Sequence, residues 1–283
     1  MNEIKTGDLR VLPTNFIYPE LNEENHKYGA SFLTNPIINP SGDWRKSLPP
    51  YEEQRRFNVE TSSCYVEGQE HTIATIEEMV LGELDNNYSA RFNALLSGGT
   101  SSGGDPVAGA DSIRHDGLVR EESMPHREDI LSWDEFHSWK GVDETKVRAE
   151  GKEDLKKKER NFGVFITREL PLATKYTLLE QGLKRSPIPM SVWGVVDDTG
   201  NYIQKPDGTY DTHLVEATYL DRENKVIHIL DTYPPFEKTL PANYNPDFGM
   251  GWTVSFKKGV KKNWLIDLCA RLWLFIKDLL TIK

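Results

Sequence analysis

Hydrophobic and polar positions change rhythm along the 283 residues. From Cys64 to about Leu84, apolar side chains recur at Val66, Ile73, Ile76, Val80 and Leu84, the stripe of an amphipathic helix buried on one side. Ser62 and Ser63 precede it and are good N-cap residues, because a hydroxyl can accept a hydrogen bond from a free amide of the first turn. Cys64 is therefore expected at the N-terminus of a long helix. A Gly/Ser loop over residues 96–111 leads into a second helix expected over Val107 to His115. Residues 128–160 are charged with helical spacing and put Trp133, Phe136 and Trp139 on one face, a pattern of core packing.

Beyond residue 160 the period shortens to two. Strands are expected at Phe162 to Thr167, Met190 to Val196, His213 to Leu220 and Lys225 to Leu230, with part of a helix at Thr177 to Lys184 and a last strand, Met250 to Phe256, closing the sheet. Asp221-Arg222-Glu223-Asn224 turns the middle pair into a hairpin. Helices first and antiparallel strands second predict an α+β fold whose halves face one another across a cleft. Pairing residues 213–219 with 225–231 would bring His213 beside Asp231 at one sheet end.

Both ends differ from the 51–257 domain between them. Residues 1–50 carry Pro13, Pro19, Pro36, Pro40, Pro49 and Pro50, which forbid long helices, so they are expected as an extended arm on the main body, with a removable propeptide as the alternative. Residues 258–283 form an amphipathic helix by pattern, rich in Trp and Leu, with Asp267 and Arg271 interrupting the apolar run short of the ~20 residues a spanning helix needs. Residues 261–283 are expected to attach to a membrane surface or a protein partner, including another copy of the chain.

Composition removes several classes of function. A net charge of −10 argues against gripping phosphate backbones, so no nucleic-acid partner is expected. The one basic run, Lys152 to Arg160, is interleaved with acids and reads as a solvated helix face. Two cysteines are too few for a disulfide scaffold, and the polar N-terminus lacks the apolar stretch of a secretory signal, which predicts a reducing, cytoplasmic setting. No CxxC or HExxH spacing occurs, and residues 98–104 lack a Gly-Lys-Ser/Thr ending, so neither metal, nucleotide nor other cofactor is expected.

The candidate chemistry starts from Cys64. Unpaired amides and the helix dipole favour thiolate over thiol at a helix N-terminus. A thiolate nucleophile also needs an imidazole, and the imidazole a third group on its other nitrogen. His213 and Asp231 meet that need at the sheet end. His26, His71, His115, His126 and His137 lack such a pairing and read as surface or structural, and His228 reads as a satisfied sheet residue.

At these residues the chain resembles the papain-like cysteine peptidases. Ser62-Ser63-Cys64-Tyr65 is similar to the family's Gly-Ser-Cys-Trp, and Leu230-Asp231-Thr232-Tyr233 to its apolar-Asn-Ser-Trp. The spacing from Cys64 to His213 falls within the family's range, and that to Asp231 lies somewhat beyond it. The Gly103-Gly104 loop resembles the family's substrate loop. The resemblance covers roughly residues 50–256 and looks closer to divergent bacteriophage members than to lysosomal or plant enzymes.

It implies a papain-like fold, with a helical left half around a long central helix, an antiparallel right half and an active-site cleft between. Cys64 would be the nucleophile, His213 the acid and base, Asp231 the orienting group, and Gly103 and Gly104 substrate-binding. The oxyanion donor would be Gln54, with Asn58, at the family's own spacing, as the alternative. The implied reaction is hydrolysis of peptide or isopeptide bonds in a peptide or protein substrate, in a host cytoplasm or a virion. An inactive binding scaffold, and a transpeptidase or amidase using the same thioester, remain the alternatives.

Overall fold

The computed structural model describes residues 10–13, 16–21, 32–82 and 86–257. The expected C-terminal helix, Cys269 and Leu84 lie outside these residues. Among the described residues no helix is long and apolar enough to cross a membrane.

The helical part comes first. Helix α1, Cys64–Ile76, continues as one wider π turn, Glu77–Leu81, and stops at Gly82, whose left-handed backbone (φ 68°) suits a residue without a β-carbon. Helices α2 (Ala90–Leu96), α3 (Pro106–Asp116), α4 (Trp133–Phe136) and α5 (Glu144–Lys157) follow. Helix α3 starts where the sequence says it should: Asp105 accepts from the amides of Val107 and Ala108, and Pro106 occupies the first turn. Arg91 on α2 is buried and donates to the carbonyl oxygens of Pro125, Glu135, Phe136, Ser138 and Lys140, which ties the connecting chain to the helices. Phe136 alone of the expected aromatic stripe is fully buried. Trp133 stacks on His137, and Trp139 meets Phe92 edge-on.

Short strands precede these helices: β1 (Arg10–Val11), β2 (Arg55–Arg56) and β3 (Val59–Glu60). Strand β4 (Lys158–Ile166) and helix α6 (Leu172–Leu183) open the second half. Strands β5 (Ile188–Val192), β6 (Val195–Val196), β7 (His213–Asp221), β8 (Val226–Leu230), β9 (Glu237–Pro241) and β10 (Gly249–Phe256) complete it. The main sheet has six antiparallel strands in the order β4-β10-β5-β7-β8-β9. The last strand therefore lies inside the sheet, between β4 and β5, and β9 rather than β10 forms the far edge. Buried apolar side chains of α1, such as Ile73 and Ile76, share one core with the sheet. Tyr65 and Val66, on another face of α1, pack with Ala90, Ala94, Ile130 and Phe136.

Two expectations change. The basic run is not wholly a solvated face, because Lys158 and Arg160 belong to β4 and are buried against Glu77. Glu77 Oε1 accepts from Arg160 Nη2 at 2.7 Å and Oε2 from Lys158 Nζ at 2.8 Å, with Tyr88 and Asn86 donating to the same carboxylate. The hairpin register also shifts: Glu216 faces Leu230 and Asp221 faces Val226, with an irregularity between Ala217 and Tyr219, so Asp231 lies just past the ladder rather than directly opposite His213.

Glu77 joins the end of the central helix to the sheet through charges that water cannot screen. Removing one member of a buried ion cluster strands the others, so Glu77→Ala should lose about 3 kcal/mol or more of unfolding free energy. Urea denaturation followed by circular dichroism checks this, and a change within about 0.5 kcal/mol would contradict it.

Candidate active site

Cys64 is the first residue of α1 and has no exposed surface. The expected hydroxyl cap is absent. Ser63 occupies the cap position, but its Oγ donates to Glu67 Oε1 at 2.7 Å and shares a 2.5 Å contact with Thr61 Oγ1. Ser62, at φ 56°, has instead the left-handed backbone and donates to the Ser101 carbonyl. This strained turn delivers Cys64 against β7, where the Leu214 amide supports negative charge on the sulfur. Burial outweighs that support and pushes the thiol up, with Glu67, Glu60 and Asp231 adding to the effect. Burial here opposes the thiolate that the helix dipole alone would favour.

His213 begins β7, directly before Leu214, and is fully buried. Its Nε2 meets Asp231 Oδ1 at 2.8 Å, while Nδ1 has no hydrogen-bond partner. The structure thus brings His213 and Asp231 together despite the shifted register, and leaves one imidazole nitrogen uncommitted. The Tyr233 ring lies 5.3 Å from the imidazole, tilted by 45°, and covers the pair.

Asp231 holds more than the sequence indicated. Oδ1 also accepts from the Thr232 and Tyr233 amides, at 2.6 and 3.3 Å, and Oδ2 accepts from Tyr202 Oη at 2.7 Å and Lys238 Nζ at 2.6 Å. Burial pushes the carboxyl up, but His213 and Lys238 outweigh it and hold the group well below the usual carboxylate range. Lys238 was not singled out from the sequence. One signal existed: in β9 it alternates with buried Leu240, so a lysine occupies an inward position of a strand.

The two oxyanion candidates separate. Asn58 sits exposed in the tight turn between β2 and β3, where Phe57 and Asn58 both have positive φ. Gln54 is fully buried beside the centre: its Oε1 accepts from Thr232 Oγ1 at 3.1 Å, its backbone pairs with the Thr232 carbonyl, and its Nε2 donates to Glu60 Oε1. Gly104 lies flat on the Tyr65 ring, where a β-carbon would come within 2.3 Å of it, so glycine is required there by close approach. Gly103 needs glycine for its backbone instead, at φ 105°.

The arm crosses this place. Val11 pairs with Val195, and the Leu12 amide donates to the Gly194 carbonyl at 2.7 Å. Phe16 N then donates to Thr212 O and Ile17 N to Gly104 O, each at 3.1 Å. Thr212 immediately precedes His213 on the sheet side, and Gly104 is in the loop of the helical side. Two consecutive arm residues therefore bridge the walls. Arg168 secures the next residue, its guanidinium 4.1 Å from the Tyr18 ring and 4.0 Å from the Tyr210 ring.

Of the histidines expected to be surface or structural, His115 is exposed, and His26 lies outside the described residues. His71, His126 and His137 are buried or half-buried, and burial pushes each down to about 4. Among the described residues no group of three His, Cys, Asp or Glu is arranged to hold a metal ion.

Two stability predictions follow from the charges. Lys238→Met leaves Asp231 short of a cation inside the protein and should cost about 3 kcal/mol, most of it recovered in the Asp231→Asn/Lys238→Met double variant. Denaturant titration of the single and double variants measures this, and equal losses would contradict it. Glu67 is buried and its carboxyl is pushed up to about 8 from 4.5, chiefly by desolvation. Its folded value lies above its unfolded one, so the neutral carboxyl's contribution is complete below about pH 4.5 and fades as pH rises toward 8. The stability difference between the parent and Glu67→Gln should follow that window, measured as unfolding free energy against pH.

No family model matches the chain, and no curated protein matches it. Solved structures do. Procathepsin L2 from the larval midgut of Tenebrio molitor superposes with a TM-score of 0.54 at 14% identity, covering 85% of this chain and 78% of that one. Xylellain, a cysteine protease from Xylella fastidiosa, gives 0.55 at 14% identity, covering 88% and 97%. The bromelain protease from Ananas comosus, in complex with the E64 inhibitor, gives 0.52 at 13% identity, covering 75% and 97%. Identity this low speaks for architecture alone: the chain folds as the papain-like cysteine proteases do.

Proposed function

We propose that the chain is a papain-like cysteine peptidase acting on peptide or isopeptide bonds, described here in a closed state with its own arm in the cleft. The observation that carries this reading is the His213 Nε2 to Asp231 Oδ1 hydrogen bond beside a cysteine that opens the central helix of this fold. Asp231 fixes the imidazole through Nε2, so Nδ1 is left to take the Cys64 proton. The thiolate attacks the substrate carbonyl carbon and the carbonyl electrons move to oxygen, where the Gln54 amide is the nearest candidate donor. As the tetrahedral species collapses, the carbon–nitrogen bond breaks and His213 protonates the leaving amine. Water, deprotonated by the same imidazole, then attacks the thioester and releases the acid and the thiol.

The arm supports the choice of substrate. Thr212 O and Gly104 O both accept from the backbone of an extended segment, which is how a cleft holds a polypeptide. Two of the similar structures are of precursors, procathepsin L2 and the recombinant stem bromelain precursor, which fits an arm that is part of a latent form. Bacteriophage ancestry and attachment through residues 261–283 are further parts of the proposal and rest on the sequence alone.

A second reading has an observation of its own. The thiol is fully buried, and burial raises the cost of ionising it, which favours a binding scaffold that never turns over. Alkylation by iodoacetamide at mildly acid pH separates the two. For a peptidase, Cys64 is labelled faster than Cys269, His213→Ala removes the acceleration, and Cys64→Ala abolishes cleavage of a peptide library. No acceleration and no cleavage in any background would leave the scaffold.

The arm should act as a lid in the same assay. A cation–π contact of this kind is worth about 1 kcal/mol, so Arg168→Ala should raise the open fraction, and with it the labelling rate of Cys64, roughly fivefold. An unchanged rate would show that the arm does not limit access.

A further inference from the structure

Glu60 ends β3, two residues before Ser62, whose left-handed backbone leads to Cys64. Its carboxylate is an acceptor for parts of the candidate site. Oε1 accepts from Gln54 Nε2 and from Ser62 N, the latter at 3.1 Å, and Oε2 accepts from Tyr233 Oη at 2.8 Å. Gln54 is the candidate oxyanion donor, Ser62 is the left-handed residue ahead of the nucleophile, and Tyr233 covers His213. A carboxylate so placed does two things that oppose catalysis. It takes one of the two Gln54 amide hydrogens and so limits how that NH2 can turn toward a developing oxyanion, and it sets negative charge against both that oxyanion and the thiolate.

The surrounding charges differ from it. Asp231, beyond β8, is matched by His213 and Lys238. Glu67, on α1, is pushed up to about 8 and so is largely neutral at pH 7. Arg55 faces Glu60 across the β2–β3 hairpin, and Tyr202 donates to Asp231 on its far side.

We propose that Glu60 is a built-in brake on this site: its carboxylate draws off one of the two Gln54 amide hydrogens and sets a negative charge against the thiolate that Cys64 must form. The proposal rests on the peptidase reading above. Glu60→Gln is the clean probe, because its amide oxygen can still accept from Gln54 and Ser62 while its NH2 faces the Tyr233 oxygen.

The experiment is a pH titration of the ultraviolet thiolate absorbance in the full chain, with the spectrum of the matching Cys64→Ala protein subtracted. It needs no reagent to enter the closed site. Glu60→Gln should lower the Cys64 midpoint by about one pH unit, a roughly tenfold gain in thiolate at a given pH, and Glu60→Asp, which keeps the charge, should stay near the parent. Thermal melts of all three verify that the fold is retained. A Glu60→Gln midpoint that stays put or rises in folded protein would overturn the brake. Failure of the peptidase reading registers separately: without a thiol and imidazole acting together, His213→Ala leaves the midpoint unchanged in both the parent and the Glu60→Gln background, and the proposal then falls with that reading.

Discussion

The carboxylate of Asp231 is the point on which the right half of the molecule is organised. An ionised carboxylate in the interior costs several kcal/mol unless it is paired and hydrogen-bonded. Here five donors meet it: His213, Tyr202, Lys238 and the amides of Thr232 and Tyr233. They come from β7, from the chain after β6, from β9 and from the turn beyond β8. Each of those segments must therefore be in place before the charge is satisfied. The same requirement aims the imidazole, since Nε2 has its partner fixed and Nδ1 is left over. Lys238 also moderates the charge that His213 meets.

Closure follows from the same electrostatics. Cys64 has no exposed surface, and neighbouring acids raise the cost of ionising the sulfur. The amide of Leu214 works in the other direction but is outweighed. A buried thiol and an arm bonded to both walls are consistent with one another, because both limit solvent at the centre.

Much of this was legible in the sequence because it depended on local pattern. The helix at Cys64 was written in its apolar stripe, β7 and β8 in alternation, and the proximity of His213 to Asp231 in the hairpin between them. What was hidden depended on pairings distant in the chain. The basic run looked solvated because its acids were adjacent, yet Lys158 and Arg160 find Glu77 some eighty positions earlier. The irregularity near Thr218 moved the hairpin register, and the histidine–carboxylate bond survived only because Asp231 turns back beyond the ladder. Glu60 carried no signal of its own: an acid two residues beyond a tight turn is ordinary, and only the fold brings Gln54 and Tyr233 onto it. Lys238 was readable in principle, since a lysine in phase with Leu240 is out of place on an inward face.

The arm also bears on what the cleft can recognise. In an extended chain, successive amides point to opposite sides. Phe16 and Ile17 use that alternation, one donating to the sheet wall at Thr212 and the next to the loop wall at Gly104. Both acceptors are backbone carbonyls, so this grip is indifferent to side chains. Gly104 can offer its carbonyl so close to Tyr65 because it has no β-carbon to collide with the ring. For the proposed peptidase, discrimination among sequences must then come from side chains above and below the strand, and the arm, the burial of Cys64 and the carboxylate of Glu60 are placed to restrain a cleft that grips backbone so generally.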